Sequence, residues 1–242
     1  MTAAVQGRRL VIAGGAAGIG LATARLALAG GAQVAVIDRH AAPGDLRGFV
    51  ADIRQSAAVC DAMAGAAAAL GGIDGLVYCA GIDLQSSLAD TTDESWERVI
   101  DVNLTGAMRA CRAGLAHFAG TVGSIVLVSS AAGLSPLRHR TAYCASKAGL
   151  NMLAKAMAIE LASRGIRVNA LCPGAVETGL FRSGLADGPD TDAALAQVRA
   201  RYVLERIADP EEIAQAILFL LSTDASYVTG IAMAVDGGRT FH

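Results

Sequence analysis

An apolar run at residues 10–13, Leu-Val-Ile-Ala, passes directly into Gly14-Gly15-Ala16-Ala17-Gly18-Ile19-Gly20, and helical spacing follows through Leu21, Ala24 and Leu28. No other stretch constrains the fold so strongly. Strand, glycine-rich turn and helix in that order are the opening of a βαβ unit. Glycines let the chain turn tightly and bring its backbone close to a pyrophosphate. The free N–H groups and the dipole at the helix start then hold the anion. Without a ligand the same pattern is a plain βα turn. The spacing is G-x-x-x-G-x-G, through Gly14, Gly18 and Gly20.

The alternation continues to the end of the chain. Residues 32–37 read as a second buried strand ending in Asp38, about 20 residues beyond the glycines, where an acid can accept hydrogen bonds from an adenine-ribose diol and repel a 2′-phosphate. Arg39 beside it can accept that phosphate, but no basic residue lies between Gly14 and Gly20, so the balance favours NAD over NADP. Residues 48–51 read as a third strand, ending at Asp52 and Ile53, and an Ala-rich helix spans roughly 55–70. Residues 73–78 form a fourth strand that ends at Cys79, Ala80 and Gly81. Thr91-Thr92-Asp93-Glu94 has the form of a capping box. It opens one long helix through Trp96, Val99, Ile100, Leu104, Met108 and Leu115, with Asn103 in its middle, where Asn is unfavourable. Residues 123–128 form a fifth strand ending at Ser129 and Ser130. A sixth, at 165–171, leads into Pro173, Gly174, Val176 and Thr178. Residues 179–206 are polar and Gly-rich and read as a substrate lid. Pro210 opens the last helix, and residues 227–235 read as a final strand.

This pattern predicts α/β architecture: residues 1–242 form a single doubly wound Rossmann-type domain, with a mostly parallel sheet of about seven strands and helices on both faces. The ligand crevice lies at the strand C-termini. Of 242 residues, 17% are charged and just over half are hydrophobic, which excludes a disordered chain. Basic residues number 20 and acidic 22, a net charge of −2 that argues against nucleic-acid or membrane-surface partners. Residues 1–9 lack a secretory apolar region. Five scattered cysteines without a C-x-x-C pair fit reduced cytoplasmic thiols and no metal site.

Tyr143 and Lys147 stand four residues apart in Tyr143-Cys144-Ala145-Ser146-Lys147, at the start of an apolar helical run. On a helix they share one face. A free phenol has a pKa near ~10, and an ammonium fixed beside it favours the phenolate. Lowering that pKa by about 3 units takes roughly 4 kcal/mol of differential stabilisation, which one cation in a partly dry pocket can largely supply. The pair is either a tuned acid/base or ordinary helix surface, and the rest of the chain decides between them. Arg138, His139 and Arg140 precede it, and Arg182, Arg199 and Arg201 lie in or near the lid. They are solvated surface or a seat for an anionic group on the substrate.

Taken together these residues resemble the short-chain dehydrogenases/reductases, in their compact single-domain branch, from Leu10 to Gly238. Residues 13–20 are similar to the family's T-G-x-x-x-G-x-G, with Ala13 for Thr. Cys79-Ala80-Gly81 is similar to N-A-G, with Cys79 for Asn. Asn103, Ser130, Tyr143 and Lys147 match the catalytic Asn-Ser-Tyr-Lys set in order. Pro173, Gly174 and Thr178 match P-G-x-x-x-T, and Val235-Asp236-Gly237-Gly238 resembles the closing strand and turn. The resemblance implies an NAD-dependent oxidoreductase acting on a secondary alcohol or ketone. In it Tyr143 exchanges the proton, Lys147 lowers the tyrosine pKa and contacts the nicotinamide ribose, and Ser130 steadies the substrate oxygen. Asn103 holds a water that relays protons from Lys147, and Val176 and Thr178 bind the carboxamide end of the nicotinamide. Gly14, Gly18, Ile19, Gly20, Asp38, Asp52, Ile53, Cys79, Ala80, Gly81, Pro173 and Gly174 complete the cofactor site. The resemblance also implies a homotetramer that packs the helices at 96–118 and 143–164 against a partner. Two alternatives stay open: an NADPH-linked 3-oxoacyl-carrier reductase, which shares the tetrad, and a non-catalytic dinucleotide-binding sensor, which usually loses the tyrosine or lysine.

Overall fold

Seven strands form one parallel sheet in the computed structural model, which describes residues 5–44, 46–118, 122–184 and 191–241. The strands are β1 (Arg9–Ala13), β2 (Gln33–Asp38), β3 (Arg47–Val50), β4 (Gly75–Tyr78), β5 (Gly123–Val128), β6 (Ile166–Pro173) and β7 (Ala232–Val235). Their spatial order is β3-β2-β1-β4-β5-β6-β7. The order reverses between β1 and β4, and in an open parallel sheet that switch point opens the ligand crevice. β1 pairs with both neighbours in register, Ala13 opposite Ile37 on one side and Tyr78 on the other.

Alternate residues of the central strands feed two cores. Val11, Ala13, Leu76, Tyr78, Ile125 and Leu127 pack with buried residues of α2 (Ser56–Leu70), α4 (Gly106–Leu115) and α5 (Thr141–Leu161). Leu10, Ile12, Val77, Val126 and Val128 face α1 (Gly18–Ala29) and α8 (Pro210–Leu221). Because both faces are covered, the strands read as continuous apolar runs. The expected single α/β sheet with helices on both faces is therefore present, and all its pairings are parallel.

Three local expectations are corrected. The helix expected through 96–115 is α3 (Asp93–Ile100), a π-helical turn at Asp101–Thr105, and α4. The capping threonine is Thr92, which accepts from Ser95 N at 3.2 Å, because Thr91 instead donates to Ser87 O at 2.7 Å. The last strand is only four residues long. Before it, Asn169 uses its side chain on this segment, accepting from Ile231 N and donating to Val228 O, so residues 227–231 make no regular ladder. In the expected lid, Gly179–Arg182 and Thr191–Arg199 are helices (α6 and α7), and residues 185–190 lie outside the described residues.

Candidate active site

A cleft of about 1040 Å³ opens over the C-terminal ends of β4, β5 and β6. Its cofactor side begins at the turn after β1. Gly14 has φ +83, and a Cβ there would lie 2.3 Å from Ala80 N. A Cβ on Gly20 would lie 2.1 Å from Gly14 O. Only glycine allows this fold-back. α1 starts from Ala17 with no side-chain cap and no acid in its first turn, so its orphan N–H groups and positive dipole end suit a pyrophosphate. Asp38 ends β2 with its carboxylate already oriented: Oδ2 accepts from Ala16 N at 3.0 Å and Oδ1 from His40 N at 3.1 Å.

The two departures from the family pattern are bridged by backbone. Ala13 O accepts from both Cys79 N at 2.7 Å and Ala80 N at 3.2 Å. Cys79 is partly buried at the cleft wall, and desolvation pushes its thiol up to about 12, so it stays neutral. Asp52 is chelated by Arg54, Nη2 to Oδ2 at 2.7 Å, which holds its carboxyl below the usual range. Ile53 packs on the core beneath Gly106. Both follow β3, next to the strand that carries Asp38. On the other wall, Gly174 N donates to Val235 O at 3.1 Å, and Val176 bridges to Ala208. Thr178 Oγ1 accepts from Phe181 N at 3.3 Å. Ile19, Cys79, Gly81, Pro173, Gly174, Val176 and Thr178 all line the cleft.

Ser130, Tyr143 and Lys147 line it too. Ser130 follows β5, while Tyr143 and Lys147 occupy successive turns of α5. The helix is tied to β5's end by Ser129 Oγ donating to Lys147 O at 2.8 Å. Lys147 is only 4% exposed. Its Nζ donates to Val128 O at 2.9 Å and lies 5.7 Å from the Tyr143 ring centre. Burial lowers the ammonium to about 8, against the opposing pull of Cys79 and Cys172. Burial also pushes the Tyr143 phenol up, while a hydrogen bond with Ser130 and the charge of Arg140 pull it down. Ser130's hydrogen bond and then the charge of Arg140 pull the phenol down here. Lys147's cation points at a backbone carbonyl.

Asn103 sits behind the cleft wall, fully buried, in the π-helical turn. Its Nδ2 donates to Ile82 O at 2.9 Å and Ser146 Oγ at 3.0 Å, and its Oδ1 accepts from Ile82 N at 2.9 Å. A Cβ added to Gly81 would stand 3.4 Å from Asn103 Oδ1 and 3.5 Å from Lys147 Nζ, so the two groups flank that glycine. Oδ1 retains a second lone pair.

Elsewhere in the cleft lining, Arg140 forms an ion pair with Asp83, and its Nη2 donates to Gln85 Oε1 at 3.2 Å. Backbone reinforces this: Ser86 N donates to His139 O at 2.8 Å. Arg138, Arg201 and Arg239 also line the cleft, whereas Arg182 is paired with Glu177 and neither Arg182 nor Arg199 lines it. Sequence reasoning missed Asp83, Tyr202 and Arg239. Tyr202 accepts from Ala175 N at 2.8 Å, and a Cβ on Gly174 would meet its ring at 2.7 Å. Nothing in the polar lid sequence signals that tyrosine. Arg239 directly follows the Asp236-Gly237-Gly238 turn, which was a usable signal.

The family model described as Enoyl-(Acyl carrier protein) reductase matches residues 14–240. The chain is 42% identical to 2-(S)-hydroxypropyl-CoM dehydrogenase 3 of Xanthobacter autotrophicus, over 96% of each chain. It is 36% identical to 3beta-hydroxysteroid dehydrogenase 1 of Eggerthella lenta, over 98% of this chain and 95% of that one. The solved ligand-free aldohexose dehydrogenase of Thermoplasma acidophilum superposes with a TM-score of 0.94 at 27% identity, over 99% of this chain and 96% of that one. With its parallel sheet, its glycine cradle and its Ser130, Tyr143 and Lys147 in one cleft, the chain belongs to the short-chain dehydrogenase/reductase family of oxidoreductases.

Proposed function

We propose that the protein transfers a hydride between NAD(H) and a secondary alcohol or ketone, with Tyr143 as the acid/base. The observation that carries this reading is the convergence of Ser130, Tyr143 and Lys147 on the cleft that the glycine cradle opens. The cradle fits the dinucleotide: uncapped helix N–H groups meet the pyrophosphate, and Asp38 faces the adenine ribose. Asp38 favours NAD, because a 2′-phosphate would meet its carboxylate. When bound, the nicotinamide accepts or returns the hydride.

The chain's own groups handle the proton. In oxidation Tyr143 takes the proton from the substrate hydroxyl, and in reduction it gives one to the carbonyl oxygen. Ser130 donates a hydrogen bond to the same oxygen and steadies its charge. Lys147, charged at neutral pH, favours the deprotonated phenol when its ammonium turns toward it, and holds the nicotinamide ribose. Asn103 fixes Ile82 and keeps a free Oδ1 lone pair beside Gly81 for a relay water. Val176 and Thr178 hold the carboxamide. Met152 and Ile159 of α5, 63% and 83% exposed, support a homotetramer packed through that helix.

A spectrophotometric screen of secondary alcohols with NAD, following NADH formation, tests the reading. Turnover of at least one alcohol is expected. Tenfold better kcat/KM with NADP than with NAD overturns the cofactor assignment and favours the NADPH-linked 3-oxoacyl-carrier alternative.

A further inference from the structure

The walls of the cleft are electrically lopsided. Among the described residues its lining contains the cations Arg138, Arg140, Lys147, Arg201 and Arg239, and one carboxylate, Asp83. The whole chain, by contrast, carries a net charge of −2. Asp83 neutralises Arg140, and Lys147 belongs to the proton chemistry. Arg239 Nη2 is held by Ser135 O at 2.9 Å and Pro136 O at 3.2 Å. Arg138 and Arg201 are exposed, and neither side chain has a hydrogen-bond or ion-pair partner among the described residues.

Arg140, Arg201 and Arg239 lie within reach of one another's charge, and Arg138, two residues before Arg140, lines the same cleft. The charge of Arg201 lowers the pKa of the neighbouring Arg140, and Arg201 and Arg239 both act on Tyr202, whose ring packs on Gly174 beside the end of β6. Like charges held together repel unless an anion joins them. Two guanidinium forks with free donors are suited to a carboxylate or sulfonate.

We propose that the substrate carries an anionic group, a carboxylate or sulfonate, set apart from the reacting carbon and held by Arg201 and Arg138, with Arg239 adding its charge. The inference deepens the proposed function by naming a substrate class, and it rests on the same cleft. Arg140 and Arg182, already seated on Asp83 and Glu177, take no part as anchors.

The test reads binding, not turnover. Competition titrations in the presence of NAD compare 4-oxopentanoate and 4-oxopentane-1-sulfonate with 4-oxopentanamide, on wild type, on Arg138→Gln/Arg201→Gln and on Arg182→Gln. The anions are expected to bind about tenfold tighter than the amide, the scale of a charge-assisted fork. That preference disappears in the double variant, weakens with added salt and survives in Arg182→Gln. Equal binding of anion and amide, no saturable binding of either anion, or a preference unchanged in the double variant overturns the proposal. Both arginines are exposed, so the double variant folds. Retained turnover in Tyr143→Phe would sink the acid/base reading and leave this preference standing.

Discussion

Asp83 and Arg140 form an ion pair that joins the loop after β4 to the residue that caps α5, three positions before Tyr143. Arg140 is the cation whose field lowers the Tyr143 phenol, and Asp83 is its counter-charge. The two therefore act on the phenol with opposite signs. Arg140→Gln removes the cation and leaves Asp83 alone, and is expected to raise the Tyr143 pKa. Asp83→Asn unmasks the cation and is expected to lower it. Titration of the carbon-13-labelled tyrosine Cζ, assigned with Tyr143→Phe, reads both. Shifts in the same direction would show that the pair serves only to hold the two loops together.

Lys147 is expected to weaken the fold it serves. Its ammonium drops from an ordinary 10.5 to about 8 on burial, a cost of about 3 kcal/mol at neutral pH. Lys147→Met leaves Val128 O without its donor, which offsets about 1–3 kcal/mol of that. The variant is expected to be inactive yet no less stable than wild type in urea at pH 7. The unfolded chain holds the proton up to 10.5 and the folded one only to about 8. Wild type therefore gains on the variant as the pH rises between those values. A difference that stays constant across that range contradicts the buried charge.

Tyr143→Phe is expected to lower kcat at least about 100-fold, the usual contribution of a positioned acid/base. NADH affinity, read by fluorescence, stays within about threefold, since the glycine cradle is untouched.

Asp38→Ser is expected to move selectivity toward NADP by tenfold or more in the ratio of kcat/KM values. It removes the carboxylate and leaves Arg39 to meet the phosphate. Because Asp38 also accepts from Ala16 N and His40 N, some affinity for NAD is lost as well. A ratio unchanged by the substitution would show that Asp38 only organises the turn.

Gly20→Ala places a methyl 2.1 Å from Gly14 O and cannot be absorbed by rotating a side chain. Loss of NADH binding, with a fall in unfolding temperature, is the expected result.

The sheet and the site differ in how far sequence reaches them. β1, the glycine turn, Asp38 and the Tyr143–Lys147 pair were legible because strand period, helix period and turn chemistry are local. Asp83 and Tyr202 were not, because the partner that gives each its role lies far along the chain, Arg140 and Ala175 respectively. The π-helical turn at Asp101–Thr105 was hidden for another reason. One wide turn hardly disturbs apolar spacing, so α3 and α4 read as one helix. The unfavourable Asn103 at its centre was the trace it left.

Asn103 also grips Ile82 by both its N–H and its carbonyl, from a fully buried position. A loop residue is thereby anchored as a ladder residue would be. Its amide is expected to exchange with deuterium on the slow timescale of the core, while the residues beyond it exchange quickly. Any swing of the segment that carries Asp83 must then pivot after Ile82, leaving the wall beside Lys147 still while the Asp83 side of the cleft adjusts.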